Sequence, residues 1–356
     1  MNSNLFGSLS KKEKTVLVLG GAGYIGSHIL GLLKNSGYFP VVLDNLSSGT
    51  RESLSEVVFY EGEVADEELI QKIYSQYPFS SVIHFAGFIQ VGESVKEPLK
   101  YYENNVGSTL KLLSVMRKLK VNHFVFSSSA AVYGEPTANI PMTEQHPQLP
   151  LNPYGRSKWM IEQILQDVGN AYDMSIACLR YFNVAGADPS IYAGKRVAPP
   201  TNLIPIVLQA VMKEQPVVVF GRDYKTKDGT CIRDYIHVMD LCEAHLLVLN
   251  SLLNHTNKKQ YLALNLGTSQ EHSVLDVIKV AEEVTGKKIH IIFGERRSGD
   301  PEYLVADGTL AKTMLGWNPR RSDLQTIIRD AWQYEMNRVY IKNPDRRPEL
   351  SRRFAN

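Results

Sequence analysis

The segment that can carry chemistry is Asn152–Lys158, with the sequence NPYGRSK. Tyr154 is the only Tyr in the chain that is followed by a Lys, Lys158, four residues later, a spacing that puts both side chains on one face of a helix. An ammonium beside a phenol favours the phenolate and lowers the phenol pKa from about 10. Such a Tyr can take a proton from a hydroxyl while hydride leaves the same carbon. An isolated pair of this kind is more often a surface contact, so the surrounding sequence must decide whether this pair is catalytic.

A glycine-rich turn, GGAGYIG, follows the apolar run Thr15–Leu19. Gly20 permits a tight turn, Gly23 lets the backbone approach a pyrophosphate, and Gly26 lets helix and strand pack closely. Asp44 ends the next apolar run, where a carboxylate accepts from an adenosine ribose hydroxyl and repels a 2′-phosphate. The sequence therefore predicts a site for NAD in preference to NADP, and a purely structural turn is the alternative.

Short apolar runs alternate with helical stretches in the first half of the chain. We predict strands at Thr15–Leu19, Val41–Leu43, Val57–Tyr60, Val82–Phe85 and Phe124–Phe126, with helices near 25–35, 66–77 and 99–119. This α/β order is typical of a Rossmann-like, doubly wound parallel sheet with helices on both faces. Later in the chain we predict a strand at Val217–Phe220 and helices near 203–213, 239–250, 274–284 and 323–338. The helix near 274–284 has Ser273 and Asp276 as capping residues and Gly286 just beyond its end.

The predicted domains follow from this pattern. Residues 1–14 are expected to be a disordered tail, and residues 15–180 the NAD-binding domain with the Tyr–Lys helix. Residues 181–345 are expected to form mainly a smaller α/β substrate-binding lobe, partly interleaved with the first domain, and 346–356 a second tail. A cover of this kind is needed because ligands bind at the carboxyl ends of such strands.

Composition restricts the class of partner and compartment. The 356 residues carry a formal net charge of +2, which argues against nucleic acid or a membrane as the main partner. No apolar run is long enough to span a bilayer, and residues 1–14 lack the hydrophobic region of a signal peptide. The three cysteines have no metal-binding spacing, so we expect a reduced, cytoplasmic setting and no metal site.

Six further segments give these features a family context: GGAGYIGS at 20–27, HFAG at 84–87, VGES at 91–94, SSSAAVYG at 127–134, RYFN at 180–183 and GTCIRDYIHVMD at 229–240. Together with the Tyr–Lys pair, they resemble the extended short-chain dehydrogenase/reductase superfamily and, within it, the UDP-glucose 4-epimerase family. The resemblance covers residues from about 15 to about 340. It implies reversible epimerisation of UDP-galactose and UDP-glucose through a 4-keto sugar, with NAD as cofactor.

Three catalytic residues are implied by the resemblance. Tyr154 is the expected base and then acid, Lys158 holds the nicotinamide ribose, and Ser129 hydrogen-bonds the C4 oxygen as donor or acceptor. Relatives that dehydrate the sugar carry a carboxylic acid in the serine segment, and Ser127–Ser129 contains none. A 4,6-dehydratase is therefore disfavoured.

The resemblance also implies a set of cofactor contacts. They are Gly20, Gly23, Tyr24, Ile25, Gly26, Asp44, Asn45, Glu63, Val64, Phe85, Ala86, Gly87, Asn104 and Lys158. Two positions depart from the family pattern. Glu63 stands where relatives often have Asp, and Ile89 stands where many have a lysine near the cofactor.

Substrate contacts are implied for the second lobe. They are Ser129 and Tyr154 at the sugar, and Asn183, Asn202, Leu203, Phe220, Arg233, Arg297, Asp300 and Leu304 in the matching later segments. Two guanidinium groups suit a diphosphate because each can fork onto its oxygens. Taken alone, Arg233 is equally well explained by a structural ion pair. Leu304, with Tyr303 one place earlier, is expected to line the hexose pocket.

A homodimer through helices near 101–119 and 154–167 is implied as well, because the first of these has more apolar side chains than one stripe needs. Packing within the same chain is the alternative. Rival functions are a 4-epimerase of UDP-N-acetylglucosamine and UDP-N-acetylgalactosamine, of a UDP-pentose or of a UDP-uronate. A dehydrogenase that releases NADH and a non-catalytic NAD-sensing protein are the others.

Overall fold

The computed structural model describes residues 9–54, 56–136, 140–188, 200–254, 260–297 and 300–342. Its strands are β1 (Thr15–Leu19), β2 (Phe39–Asp44), β3 (Val58–Glu61), β4 (Ser81–His84), β5 (His123–Ser129), β6 (Ser175–Tyr181), β7 (Asn183–Ala185), β8 (Val217–Phe220), β9 (Ile232–Arg233), β10 (Tyr235–His237), β11 (Tyr261–Leu266), β12 (His272–Ser273), β13 (Ile291–Gly294) and β14 (Tyr303–Leu304).

Among the described residues, seven strands form one parallel sheet in the order β11-β6-β5-β4-β1-β2-β3. This confirms the Rossmann-like doubly wound fold. The five predicted strands all exist, with ends shifted by up to three residues. Strands β6 and β11 were not predicted, because each carries a buried polar side chain, Arg180 and Asn265, within a mainly apolar strand. Those groups are satisfied only by tertiary contacts.

The helices are α1 (Lys11–Lys14), α2 (Tyr24–Asn35), α3 (Glu67–Gln76), α4 (Val91–Lys96), α5 (Pro98–Tyr101), α6 (Ser108–Leu119), α7 (Pro153–Tyr172), α8 (Leu203–Lys213), α9 (Val238–Asn254), α10 (Val274–Thr285), α11 (Thr309–Leu315) and α12 (Leu324–Lys342). Both faces of the sheet are covered. One core joins the sheet to α2 and α9, and the other joins it to α3, α6 and α7. No helix in the described ranges is long and apolar enough to span a bilayer.

The predicted helix near 99–119 is not continuous. A π-helical segment, Tyr102–Gly107, separates α5 from α6. Inside it, the buried Asn105 side chain accepts from the Phe88 N–H at 2.9 Å and donates to the Phe88 carbonyl at 3.1 Å. Such segments often occur at functional sites. Here the segment holds the loop after β4 against the helix, which a regular α-helical pattern does not reveal.

The second lobe is built on α8, α10 and α12, which share a third core. The capping of α10 is as predicted, with a reciprocal Ser273–Asp276 box and Gly286 in the left-handed conformation. β11 lies beyond residue 180 in the chain and yet forms the edge of the main sheet, and α9 packs beneath that sheet. The two predicted units therefore share one sheet.

The prediction of a disordered tail over residues 1–14 is wrong for Lys11–Lys14, which form α1. The Ser10 and Glu13 side chains cap this turn reciprocally, with Ser10 N–H donating to Glu13 Oε2 at 2.7 Å. Residues 1–8 and the predicted tail at 346–356 lie outside the described residues.

The packing of α2 against the glycine turn can be tested at Gly26. A Cβ there would lie 2.3 Å from the Gly20 carbonyl oxygen and 2.7 Å from Gly21 Cα. We expect Gly26→Ala to lower the free energy of unfolding by ~1–3 kcal/mol, because backbone atoms must move apart. Gly31→Ala is the matched control, since no atom lies within 4 Å of its Cβ position on the same helix.

The control should be stabilising by ~0.5–1 kcal/mol, because alanine loses less backbone entropy in a helix than glycine does. Urea unfolding followed by circular dichroism measures both values. Equal stabilities for the two variants would show that the close packing at Gly26 does not matter.

Candidate active site

A cavity of about 730 Å³ opens at the carboxyl ends of the central strands. It is lined by residues from the glycine turn, α7 and the second lobe. The lining contains all of the predicted site residues except Leu304: Gly20, Gly23, Tyr24, Ile25, Gly26, Asp44, Asn45, Glu63, Val64, Phe85, Ala86, Gly87, Asn104, Ser129, Tyr154, Lys158, Asn183, Asn202, Leu203, Phe220, Arg233, Arg297 and Asp300.

The glycine turn points the N-terminus of α2 at this cavity. Gly23 is the N-cap residue of α2, so the unpaired N–H groups of the first helical turn face the lining. Gly20 has a φ of +76°, and a Cβ there would lie 2.6 Å from the Ala86 nitrogen. The turn after β1 can therefore pack against the segment after β4 only with glycine at this position.

Asp44 holds the adjoining loop and presents its charge at the end of β2. Its carboxylate accepts from the Ala22 N–H at 2.9 Å and the Leu46 N–H at 2.8 Å. Burial raises the pKa of Asp44, and the two backbone hydrogen bonds oppose this rise. Next to it, the Asn45 amide donates to Glu63 Oε1 at 3.0 Å. This corner of the cavity is rich in hydrogen-bond acceptors.

The Tyr–Lys pair lies at the start of α7, whose first turn is well defined. The Asn152 side chain caps the helix by accepting from the Gly155 N–H at 2.9 Å, and Pro153 occupies the first helical position. Lys158 is buried, and its ammonium donates to the Ser127 carbonyl at 2.8 Å. It also lies 4.8 Å from the centre of the Phe126 ring. The charge is thus fixed against the end of β5.

The ionisation of the pair differs from the sequence-based expectation. Burial raises the pKa of Tyr154, and a hydrogen bond from the Ser129 side chain opposes the rise. In this arrangement the pKa of Tyr154 is thus raised rather than lowered, and the Lys158 ammonium binds the Ser127 carbonyl. Burial also lowers the pKa of Lys158 to about 8, against the attraction of the Glu162 carboxylate.

The other end of the cavity carries the arginines. Arg233 forms an ion pair with Asp300 and donates to the Ile232 carbonyl at 2.8 Å. Arg297 is exposed, and its guanidinium carbon lies 4.0 Å from the centre of the Phe220 ring. Both guanidinium groups border the same cavity. Arg233 therefore forms the ion pair that was the alternative explanation for it, and it also lies in the cavity wall.

Leu304 is the predicted site residue that does not line the cavity. It is partly buried on β14 and packs against the cluster that contains Met142 and Phe182. Tyr303 is buried too and donates to Glu271 at 2.7 Å. The cavity lining includes Phe182, which belongs to that cluster, and not Leu304, so a role for Leu304 in the hexose pocket stays a prediction.

Several lining residues were not predicted. They include Tyr181 and Phe182 at the end of β6, and Glu93 and Tyr101 from α4 and α5. Tyr181 and Phe182 lie inside the RYFN segment and Glu93 inside the VGES segment, so the motifs contained the signal. The Tyr101 hydroxyl is within 2.9 Å of Glu93 Oε2 and accepts from the Gln90 N–H at 3.0 Å. Only the fold reveals this contact.

Comparison with known proteins gives the arrangement a family. The model of the NAD dependent epimerase/dehydratase family matches residues 16–267. The UDP-glucose 4-epimerase of Halalkalibacterium halodurans is 46% identical over 320 residues, which cover 90% of this chain and 95% of that protein.

Two crystal structures are similar along most of their length. The UDP-glucose 4-epimerase of Brucella ovis in complex with NAD is 43% identical, with a TM-score of 0.84 and coverage of 89% of this chain and 97% of that one. The enzyme of Bifidobacterium longum in complex with NAD+ and UDP is 40% identical, with a TM-score of 0.84 and coverage of 93% and 99%. These similarities confirm the family resemblance inferred from the motifs, and the chain belongs to the NAD dependent epimerase/dehydratase family.

Proposed function

We propose that this chain interconverts UDP-galactose and UDP-glucose at C4, using NAD held in the cavity. The observation that carries the proposal is that one cavity joins three features: the glycine turn, the Tyr154–Lys158 pair and the two arginines. A dinucleotide and a nucleotide sugar can therefore meet at the phenol. The relatives named above carry the same activity in their names.

The cofactor end of the cavity has the groups that NAD requires. The N-terminus of α2 suits the pyrophosphate, and the Asp44 carboxylate suits the ribose hydroxyls of the adenosine and disfavours a 2′-phosphate. The Lys158 ammonium lies 3.8 Å from the point that a Cβ on Gly87 would occupy, so it borders the segment after β4. From there it can hold the ribose of the nicotinamide. Bound NAD supplies the acceptor and donor of hydride.

The chain's own part in the reaction is proton transfer and orientation. Tyr154 takes the proton from the sugar O4 hydroxyl as the carbon is oxidised, and returns it to the oxygen of the 4-keto sugar when hydride comes back to the other face. The Ser129 hydroxyl already hydrogen-bonds Tyr154 and can also reach the sugar oxygen. Burial raises the pKa of Tyr154, and the Ser129 hydrogen bond together with the positive charge of a bound nicotinamide would favour the phenolate against this rise.

The nucleotide end provides binding that does not hinder the sugar. Arg233 and Arg297 suit the diphosphate, Phe220 offers an aromatic face for the uracil, and Asp300 suits the uridine ribose. Asn183, Asn202 and Leu203 line the same region. Because the 4-keto sugar must turn over before hydride returns, binding energy is best drawn from the part of the substrate that stays in place.

We further propose that the chain forms a homodimer in the cytoplasm. Leu110 on α6 and Met160 on α7 are exposed apolar side chains, and Val95 and Leu99 lie exposed on the preceding helices. They support the implied packing of these helices against a second copy. The buried free thiols Cys178, Cys231 and Cys242 support a reduced compartment. Sedimentation of the purified chain as a monomer would exclude the dimer.

The function is tested by incubating the purified protein with UDP-galactose and no added NAD. We expect UDP-glucose to form while no free NADH accumulates, measured by chromatography and by absorbance. Accumulating NADH would indicate a simple dehydrogenase. If no conversion occurs even with added NAD, the proposal is wrong, and UDP-N-acetylgalactosamine is the next substrate to test.

The role of Tyr154 is tested by Tyr154→Phe. We expect kcat to fall ~10²–10⁴-fold, because the ring remains and the group that moves the proton is lost. NAD extracted from the purified variant should match the wild type, since the phenol is not needed to hold the cofactor. Tyr172→Phe, on the exposed end of the same helix, is the matched control. A wild-type rate in Tyr154→Phe would remove this residue from the mechanism.

The phosphate role is tested by comparing two neighbouring arginines. Arg297 lines the cavity, whereas Arg296 pairs with Asp223 at 2.7 Å and stacks on Tyr224. We expect Arg297→Ala to raise KM for UDP-galactose ~10-fold, the loss of one charge-assisted contact, with a smaller effect on kcat. Arg296→Ala should leave KM unchanged. Equal KM values in steady-state assays of both variants would contradict the assignment.

A further inference from the structure

A buried ion pair lies behind the Tyr–Lys pair and outside the cavity wall. Glu162 on α7 is 0% exposed and Arg180 on β6 is 5% exposed. Arg180 Nη2 lies 2.5 Å from Glu162 Oε2, and Arg180 Nε donates to Glu162 Oε1 at 3.0 Å. The free energy lost when two charges are removed from water offsets much of their mutual attraction. Stability alone therefore explains this pair poorly, and the reaction steps above do not use it.

The position of Glu162 follows from the helix repeat and the sheet register. It comes four residues after Lys158 and eight after Tyr154, so the three side chains form one stripe along α7. In the β5–β6 pairing, Ser128 lies directly opposite Arg180. Side chains opposite each other point to the same face, and both of these donate to the Glu162 carboxylate. Helix and sheet meet at this carboxylate.

The result is a continuous seam between α7 and the end of β5. Each of three consecutive serines takes part. The Ser127 carbonyl accepts from Lys158, and the Ser128 hydroxyl donates to Glu162. The Ser129 hydroxyl hydrogen-bonds Tyr154. Glu162 is the anchor of this seam that lies farthest from the cavity. If it is lost, the strand end can shift relative to the helix, and Ser129 with it.

Arg180 extends the anchor to the turn that follows β5. Its Nη1 donates to the Tyr133 hydroxyl at 3.0 Å and to the Glu144 carbonyl at 3.3 Å. The Tyr133 hydroxyl in turn donates to Asn265 Oδ1 at 2.6 Å on β11. The turn after Ser129 is therefore tied to two further strands of the sheet, β6 and β11.

Glu162 also supplies the negative charge nearest to Lys158 along the helix. Its carboxylate raises the pKa of Lys158 and so opposes the effect of burial. The other titratable groups around the ammonium are neutral near pH 7. Burial lowers the pKa of His84 on β4 to about 3, and raises those of Cys178 and Tyr181 on β6 well above their ordinary values. Without the carboxylate, the nearby Arg180 charge has no counterion.

We propose that Glu162 is a positioning residue for the reaction, which anchors the end of β5 to α7 and places a carboxylate one helical turn from Lys158. This inference rests on the proposed roles of Tyr154 and Lys158. The competing explanation is that the ion pair only stabilises the fold.

The test is Glu162→Gln, which keeps the shape and removes the charge. We expect kcat to fall ~10-fold or more because the seam loosens, with KM for UDP-galactose unchanged because Glu162 does not line the cavity. The deficit should grow as the pH is raised toward about 8, the pKa of Lys158, since the variant loses the ammonium charge at lower pH.

A second readout does not depend on activity. The pH dependence of Lys158 acetylation by a trace of acetic anhydride, measured by mass spectrometry, reports how readily the ammonium loses its proton. In Glu162→Gln, the midpoint of this curve should move to lower pH. The matched control is Glu335→Gln, which breaks the largely buried Glu335–Arg338 pair at 3.2 Å on α12. It should leave both kcat and the curve unchanged.

The outcomes separate the two proposals. If Glu162→Gln keeps wild-type kcat and the same acetylation midpoint, the pair is purely structural and the inference is wrong. If the midpoint falls and the wild type does not epimerise UDP-sugars, the coupling of Glu162 to Lys158 stands and the proposed function fails. Should Glu162→Gln not fold, the double variant Glu162→Gln with Arg180→Gln leaves no unpaired arginine, and a smaller shift in the same direction is expected from it.

Discussion

The contact between α7 and the carboxyl end of β5 is the constraint on which the site depends. A parallel strand ends with unpaired carbonyl groups at the edge of the sheet, and the helix that follows must pack across its neighbours. Here the carbonyl of Ser127 receives the Lys158 ammonium, while the Ser129 hydroxyl meets Tyr154. These four groups are brought together because a rigid strand end meets a rigid helix start.

The same edge of the sheet collects the cofactor groups. β1 leads into the glycine turn, β2 ends at Asp44, and β4 leads into the loop with Gly87. Because neighbouring parallel strands all end on the same side, residues far apart in the chain become neighbours in space. The N-terminus of α2 then adds its unpaired N–H groups to a surface that the fold already makes concave.

Electrostatics at the site are decided by burial as much as by charge. Burial raises the pKa of Tyr154 and lowers that of Lys158, so it disfavours the charged form of both groups. Charges placed nearby must offset this. Glu162 acts on Lys158 from behind the wall, and the Arg180 guanidinium pairs with the Glu162 carboxylate where both side chains are buried.

The sequence by itself determined the strand and helix pattern, the glycine turn and the Tyr–Lys spacing, because each depends on neighbours within a few residues. The limits of α8 and β8 and the caps of α10 were predictable for that reason. Only the tertiary structure decided the rest. β11 became an edge of the main sheet, the helix near 99–119 was interrupted where Asn105 binds a loop, and Leu304 was left behind the wall. These outcomes depend on contacts between residues distant in the chain, whose geometry local patterns do not encode.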